Sequence, residues 1–287
     1  MTLTRILGAN AALALLGLAL AVPAVLASPI LGSAQNFAVL AGATVTNTGP
    51  STLWGHVGLH PGNAITGAGS ITLAGVAHQA DGVAQQAKLD AASAYGVLAG
   101  LSANADLSGV DLGGQVLLPG TYFFASSAQL TGTLTLNANN DPNALFVFQI
   151  GSSLTTASNA AVSVLNGGAN NGVFWQVGSS ATLGTGTSFA GNILADQSIT
   201  LNTGASLMCG RAFARVGAVT LDSNSISNDC GLSGGGNDFG SRGFSQSELV
   251  PVPEPSISAL LLLGLGSLAS LGRRPAAKVT AGRASAA

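Results

Sequence analysis

Four threonine-led motifs in the second half of the chain repeat hydroxyl side chains at a common spacing. They begin at Thr155, Thr182, Thr200 and Thr220, and each continues with Thr or Ser three positions later and then Gly or Asn. Their chemistry is neutral hydrogen bonding, since a hydroxyl both donates and accepts. Self-similarity at roughly 20 residues indicates a solenoid in which each coil stacks on the one before.

Stacked coils would arrange the repeated hydroxyls in ladders with rungs roughly 4.7 to 4.9 Å apart. The two ranks of hydroxyls lie three residues apart, so strict alternation cannot place both on one face of a strand. Which rank faces outward, and whether the other lies at a corner or points inward, stays open at this point. The candidate surface residues are Thr155, Thr156, Ser158, Asn159, Thr182, Thr185, Thr200, Thr203, Thr220 and Ser223.

Other reactive residue types do not form a recognisable catalytic or metal site. His56 and His60 have a helical ligand spacing, but Gly55, Gly58 and Pro61 argue against a helix there. Asp106 and Asp111 fall in a Gly-rich turn, where solvated carboxylates are expected. Ser179 and Ser180 lack the Gly-x-Ser-x-Gly context of a nucleophile. We therefore predict a protein that is not an enzyme and uses no cofactor or metal.

The segments around these hydroxyls have mainly the patterns of β-strands. An apolar strand precedes each threonine motif, for example 174–177 before Thr182 and 193–195 before Thr200. One segment differs: between about residues 76 and 101, Val83, Ala87, Ala91, Ala94, Tyr95 and Leu98 recur at helical spacing. The pattern predicts a mainly β fold, a β-solenoid with one long α-helix packed alongside.

Charge and cysteine content narrow the class of protein. Only 7% of residues are charged and the formal net charge is −2, so there is no basic stripe for nucleic acid. Cys209 and Cys230 are the only cysteines of the chain. An isolated pair in a secreted protein most often forms one disulfide. We expect that pairing here, with two free thiols as the alternative.

Both ends of the chain have the composition of targeting segments. Residues 1–27 predict a secretory signal peptide, with an apolar run from Ala11 to Val25 and cleavage after Ala27. Residues 231–251 predict a Gly/Ser-rich linker. Residues 252–287 resemble the PEP-CTERM sorting signal in a Pro-Glu-Pro motif, a short apolar helix and two basic residues; these are Pro253, Glu254, Pro255, Arg273 and Arg274.

The sorting resemblance implies a location. It implies a transient anchor in the inner membrane, processing by a sorting transpeptidase, and delivery to the cell surface or extracellular matrix. An uncleaved C-terminal anchor is the alternative.

The region between the ends, residues 28–230, resembles the bacterial and fungal ice-binding protein family. The resemblance is strongest over residues 171–185, 189–195 and 210–222, and Thr156-Ala157-Ser158-Asn159 matches the Thr-Ala/Gly-x-Thr/Asn motif that some members carry. It implies an irregular right-handed β-helix with an accompanying α-helix and a flat ice-binding face.

The sequence is therefore compatible with two alternative functions of different classes. The first is ice binding by a threonine-bearing face, with antifreeze or recrystallisation-inhibiting activity and with ice as the partner of a monomer. The alternative is a non-catalytic structural or adhesive protein of the exopolysaccharide matrix without affinity for ice. A carbohydrate enzyme on a β-helix fits less well, because the acidic and basic clusters of such sites are missing.

Overall fold

The computed structural model describes residues 30–141, 143–167 and 171–228. Two short 3-10 helices lie at Gly32–Asn36 and Ala68–Ser70. The strands before the α-helix are β1 (Phe37–Ala41), β2 (Thr44–Thr48), β3 (Ser51–Trp54), β4 (His56–Leu59), β5 (Ala64–Thr66), β6 (Ile71–Ala74) and β7 (Ala77–Gln79). The helix α1 spans Gly82–Ala99.

The chain returns to strands after α1. They are β8 (Ala105–Asp106), β9 (Val116–Leu117), β10 (Gly120–Phe124), β11 (Ala128–Leu130), β12 (Thr133–Asn137), β13 (Leu145–Ile150), β14 (Leu154–Thr156), β15 (Ala161–Leu165), β16 (Gly172–Val177), β17 (Ala181–Leu183), β18 (Ser188–Ala190), β19 (Asn192–Ala195), β20 (Ile199–Leu201), β21 (Ser206–Met208), β22 (Ala212–Ala214), β23 (Val219–Asp222) and β24 (Ser225–Ser227).

The strands form three parallel sheets that run along the solenoid. Sheet I has the order β7-β4-β1-β22-β19-β16-β13-β10-β8, sheet II the order β11-β14-β17-β20-β23-β2-β5, and sheet III the order β6-β3-β24-β21-β18-β15-β12-β9. A typical coil therefore contributes one strand to each sheet in turn, as β19, β20 and β21 do. The predicted β-helix with one accompanying helix is confirmed.

The coils do not stack in the order of the sequence. The last described coil, β22 to β24, pairs with the first coil, β1 to β3, and the second coil, β4 to β6, covers the far side of the first. The helix α1 then carries the chain back along the solenoid to β8 at the opposite end. The stacking of the last coil on the first places strands that are far apart in sequence side by side in one sheet.

The core lies inside the three sheets and is continuous from coil to coil. Phe148 and Trp175 occupy matched positions on neighbouring strands and stack with their ring centroids 3.9 Å apart, and Tyr122 lies 5.5 Å beyond Phe148. The indole of Trp175 donates a hydrogen bond to the carbonyl of Ala190. Like residues meeting on successive coils bury a core that no single repeat could form.

The helix packs on the outer face of sheet I through alanines. Ala84, Ala87, Ala91 and Ala94 are fully or nearly buried, and several contact Phe37, Leu40, Val147, Phe174, Leu194 and Phe213, which project from sheet I. Small side chains let the helix axis approach the sheet closely. Sheet I is therefore covered, whereas sheets II and III turn their outer faces away from the helix.

The predicted helix limits of about 76 and 101 were too wide. Asp81 caps the helix by accepting a hydrogen bond from the N–H of Ala84 at 2.8 Å. Residues Ala77–Gln79 instead form the edge strand β7 of sheet I, which pairs with β4. Val83, which was assigned to the apolar stripe, is 50% exposed. The first buried residue of the helix is Ala84, one position later.

Candidate ice-binding face

A continuous row of threonines runs along the outer face of sheet II. The strand pairings place Thr155 beside Thr182, Thr182 beside Thr200, and Thr200 beside Thr220. They continue from Thr220 to Thr46 and from Thr46 to Thr66. We call these six residues the threonine row; they are Thr155, Thr182, Thr200, Thr220, Thr46 and Thr66.

Side chains alternate between the two faces of each strand, and the threonines of the row lie on the outer face. In β20, for example, Ile199 and Leu201 are fully buried while Thr200 between them is half-buried. Val219 and Leu221 flank Thr220 in the same way. Since successive side chains point to opposite faces of a strand, burial of the neighbours fixes the hydroxyls on the solvent side. The first of the two predicted ranks is therefore the one on the sheet face.

Two members of the row were missed by the sequence analysis. Thr46 lies 174 residues before its neighbour Thr220, and Thr66 lies 20 residues after Thr46. Both join the row only because the first two coils stack on the last one. A local signal for Thr46 was present, since Thr46-Asn47-Thr48-Gly49 has the spacing of a shortened threonine motif. At the other end, Gln129 continues the row beside Thr155.

The hydroxyls of the row are available to solvent. Within the part of the chain that the structure describes, none of the six makes a side-chain hydrogen bond to another residue. The serines just before these strands behave differently. Ser180 accepts a hydrogen bond from the N–H of Ser198, and Ser198 accepts one from the N–H of Ala218, so their hydroxyls join successive coils.

The second predicted rank lies in the turns between sheets II and III. Ser158, Thr185 and Thr203 are exposed and precede residues with positive φ, which are Asn159, Gly186 and Gly204. In the shorter last turn Ser223 itself has φ of 54°. The hydroxyl of Thr203 donates to the carboxylate of Asp222. These residues therefore border the sheet face and do not extend it.

Thr156 was wrongly predicted as a surface residue. Its side chain is 3% exposed and points inward, where its hydroxyl lies 2.8 Å from that of Thr187 and accepts a hydrogen bond from the N–H of Gly184. Successive side chains of a strand point to opposite faces, and because Thr155 points outward, Thr156 points inward. Thr156 joins two coils at the inner corner.

Electric charge is concentrated away from the threonine row. The described cations lie on the helix side of the solenoid: Lys88 donates to the carbonyls of Ala214 and Arg215, and Arg215 pairs with Asp196. Arg211 is 2% exposed and donates to the carbonyl of Gln35. Arg211 thus bonds a backbone carbonyl at a coil corner, whereas the Arg215 guanidinium binds a carboxylate and lies over the ring of Tyr95.

The carboxylates near the ends of sheet II are engaged by neighbours. Burial raises the pKa of Asp111, but hydrogen bonds from the Thr131 hydroxyl and from the N–H groups of Gly113 and Thr131 outweigh it, so the pKa lies below its ordinary value. Asp111 is therefore ionised at neutral pH and held in its turn. Asp222 is the last residue of β23, on the same side of the strand as Thr220, and it accepts a hydrogen bond from the Thr203 hydroxyl.

The other candidate sites also differ from catalytic or metal centres. His56 lies on the strand β4 and not on a helix, and its Nδ1 accepts from the N–H of Val76. Asp106 caps its own turn by accepting from the N–H of Ser108. Within residues 30–141, 143–167 and 171–228, no three His, Cys, Asp or Glu side chains cluster as metal ligands.

Several predicted features fall partly or wholly outside the described residues. Cys209 is engaged in a disulfide, but Cys230 is not described, so their pairing stays a prediction. The signal peptide, the linker and the sorting tail, with Pro253, Glu254, Pro255, Arg273 and Arg274, are likewise not described. Among the described helices, none is long and apolar enough to span a membrane.

The three-sided solenoid, its lateral helix and its row of outward hydroxyls define a class of β-helical proteins, and the comparisons with known proteins agree. The chain belongs to the ice-binding-like family, whose model matches residues 39–227. A second model, the PEP-CTERM protein-sorting motif, matches residues 251–274.

Individual relatives give the same picture. The chain is 53% identical over 242 residues to the ice-binding protein of Nostoc sp. (strain HG1), which covers 84% of this chain and 85% of that protein. The fold of this chain matches the crystal structure of an ice-binding protein from an Antarctic biological consortium with a TM-score of 0.66 and 46% identity. The match covers 70% of this chain and 91% of that one. The ice-binding protein of the Antarctic ascomycete Antarctomyces psychrotrophicus aligns with a TM-score of 0.65 at 36% identity, over 69% and 96%.

Proposed function

We propose that the protein binds ice through the outer face of sheet II and thereby restrains the growth or recrystallisation of ice. The observation that carries the proposal is the threonine row, six hydroxyls in strand register that no described residue engages. The relatives, which are themselves ice-binding proteins, support it.

The physical basis is many weak contacts held in one rigid arrangement. A single hydrogen bond to water contributes little net free energy, about 1 kcal/mol or less, because it replaces one that already existed in solution. Six hydroxyls about 4.8 Å apart span roughly 24 Å, and they are already ordered before binding. Ordered water that matches this lattice is held at several points at once, so the contacts add without further loss of protein entropy.

The absence of charge on the row matters as much as the presence of hydroxyls. An ionised side chain keeps its own hydration shell and would compete with the water order that ice requires. Lys88, Arg211 and Arg215 are directed to the helix side or buried, and Asp222 at the border is engaged by Thr203. The methyl groups of the threonines supply the remaining surface of the face.

The alternative of an adhesive matrix protein without ice affinity is less well supported. It explains the sorting motif equally well, but it gives no reason for a straight row of unengaged hydroxyls. We therefore retain the extracellular matrix only as a place where the protein resides. Nor do the described residues offer an assembled nucleophile or acid–base pair, and we propose a non-catalytic role.

We further propose a route to the cell surface. Residues 1–27 act as a signal peptide, residues 28–230 form the ice-binding domain, and residues 231–251 form a linker. Residues 252–287 supply the sorting signal, including a short membrane helix and Arg273-Arg274 on the cytoplasmic side. The match to the sorting motif supports handling by a sorting transpeptidase. The secreted domain is proposed to act as a monomer.

A pair of matched substitutions tests the choice of face. Thr182 on sheet II and Ser188 on sheet III belong to the same coil, and both side chains face solvent. We expect Thr182→Tyr to lower thermal hysteresis at least about fivefold, because a bulky ring in the middle of the row prevents simultaneous contacts. Ser188→Tyr should leave hysteresis within about twofold of the unmodified protein.

Far-UV circular dichroism of both variants shows whether the fold is retained. If the Ser188 variant loses activity and the Thr182 variant keeps it, sheet II is not the ice-binding face.

A further inference from the structure

The described chain begins and ends at the same corner of the solenoid. Asn228 follows β24 in sheet III, and Gln35 precedes β1 in sheet I. The side-chain amide of Asn228 donates to the carbonyl of Gln35 at 3.4 Å, and the N–H of Asn228 donates to the carbonyl of Trp54 at 3.2 Å. Both ends of the folded unit therefore lie at the corner between sheets III and I.

A buried arginine holds this corner together. Arg211 precedes β22 and donates to the carbonyl of Gln35 at 2.8 Å, to Oδ1 of Asn192 at 2.9 Å and to the carbonyl of Asn228 at 3.5 Å. Its side chain thus joins the entry of the chain, the exit of the chain and the start of β19. Cys209, two residues before it and engaged in a disulfide, lies at the same corner. Hydrogen bonds from a charged group to buried carbonyls are among the stronger ones in proteins.

This corner is opposite the threonine row. In a solenoid with three faces, the corner between sheets III and I is the one that does not touch sheet II. The chain after Asn228 continues to the sorting motif at residues 251–274. Residues 229–250, which number 22, separate Asn228 from that motif.

We propose that the tail holds the domain by the corner between sheets III and I, so that an anchored molecule presents sheet II outward, away from the surface that carries it. The orientation itself does not depend on the proposed function. Its benefit does rest on that function, because an ice-binding face must be accessible to crystals outside the cell. The envelope or matrix that carries the tail therefore lies at the corner between sheets III and I.

Accessibility in the intact, displayed chain tests the orientation without using ice. Ala64 on sheet II and Val76 at the corner between sheets III and I belong to the same part of the solenoid, and both are exposed. Full-length Ala64→Cys and Val76→Cys, displayed on cells, are treated with a bulky maleimide polymer and with a small maleimide. We expect the polymer to modify Ala64→Cys at least about fivefold faster than Val76→Cys on cells, because the tether keeps Val76 close to the envelope.

The same two variants released from the cells provide the control. Their rates with the polymer should then agree within about twofold, which shows that the difference on cells comes from anchoring and not from local structure. Equal rates on cells, or a faster reaction of Val76→Cys, would overturn the proposed orientation. Loss of thermal hysteresis in the unmodified protein would instead refute the ice-binding function, and the labelling result would stand independently.

Discussion

Two adjacent threonines illustrate how residue environment separates function from structure. Thr155 faces solvent with an unengaged hydroxyl, whereas Thr156 faces the core and joins two coils through Thr187 and Gly184. The sequence predicted that the two hydroxyl ranks could not share one face, but not which rank faced outward. That choice depends on which neighbours are buried. The Leu and Thr that flank Thr155 give a weaker signal than the Ile and Leu that flank Thr200.

The inward position of Thr156 leads to a prediction about stability. Thr156→Val keeps the volume but removes the hydroxyl that accepts from the N–H of Gly184 and pairs with Thr187. The buried N–H of Gly184 then has no acceptor, whereas the Thr187 hydroxyl still donates to the carbonyl of Ala157. Leaving that N–H without a partner should lower the free energy of unfolding by about 1 to 3 kcal/mol. Urea denaturation monitored by circular dichroism measures this. Thermal hysteresis per folded molecule should be unchanged, and a large loss of it would mean that Thr156 contacts ice after all.

The structure of individual elements was predicted well where their pattern is local. The apolar runs before the threonine motifs predicted strands, and the spacing of the apolar residues between 76 and 101 predicted the helix, because each pattern is visible within one segment. The limits of α1 were wrong because Asp81 and the pairing of β7 with β4 compete with helix formation. The stacking of the first coil on the last was not predicted, since it joins segments separated by most of the domain and leaves no local signal.

The contact between α1 and the solenoid predicts a pH dependence. Burial, and secondarily the charge of Arg215, lowers the pKa of Lys88 to about 8, while the unfolded chain has the ordinary value of 10.5. Between these values the unfolded state binds more protons, so the free energy of unfolding should rise with pH. The stabilisation is complete above the unfolded value and is lost as the pH falls through about 8.

Lys88→Met provides the matched variant for this prediction. The slope of unfolding free energy against pH between 8 and 9.5 should become nearly flat, because the neutral side chain does not titrate. Staying below pH 10 avoids Tyr122, whose pKa is raised by burial and whose contribution has the opposite sign. Urea titrations at several pH values measure the slope. An unchanged slope in the variant would show that another group is responsible.

In the whole molecule, the stacking of the first coils on the last extends the threonine row beyond the four threonine motifs of the second half of the chain. Thr46 occupies the position next to Thr220 although it lies near the start of the folded region. Thr46→Tyr should therefore lower thermal hysteresis about as much as Thr182→Tyr does, at least about fivefold. Thr52→Tyr, on sheet III of the same coil, is the control and should have little effect. Full activity in the Thr46 variant would confine the face to the contiguous repeats.

Observation of single ice crystals in a solution of the purified protein shows whether the threonine row on sheet II adsorbs to ice. We expect faceted crystals, a measurable gap between melting and growth temperatures, and slowed recrystallisation, all of which the Thr182→Tyr variant should largely lose. Round crystals that grow at the melting point and coarsen as they do in buffer would contradict adsorption to ice.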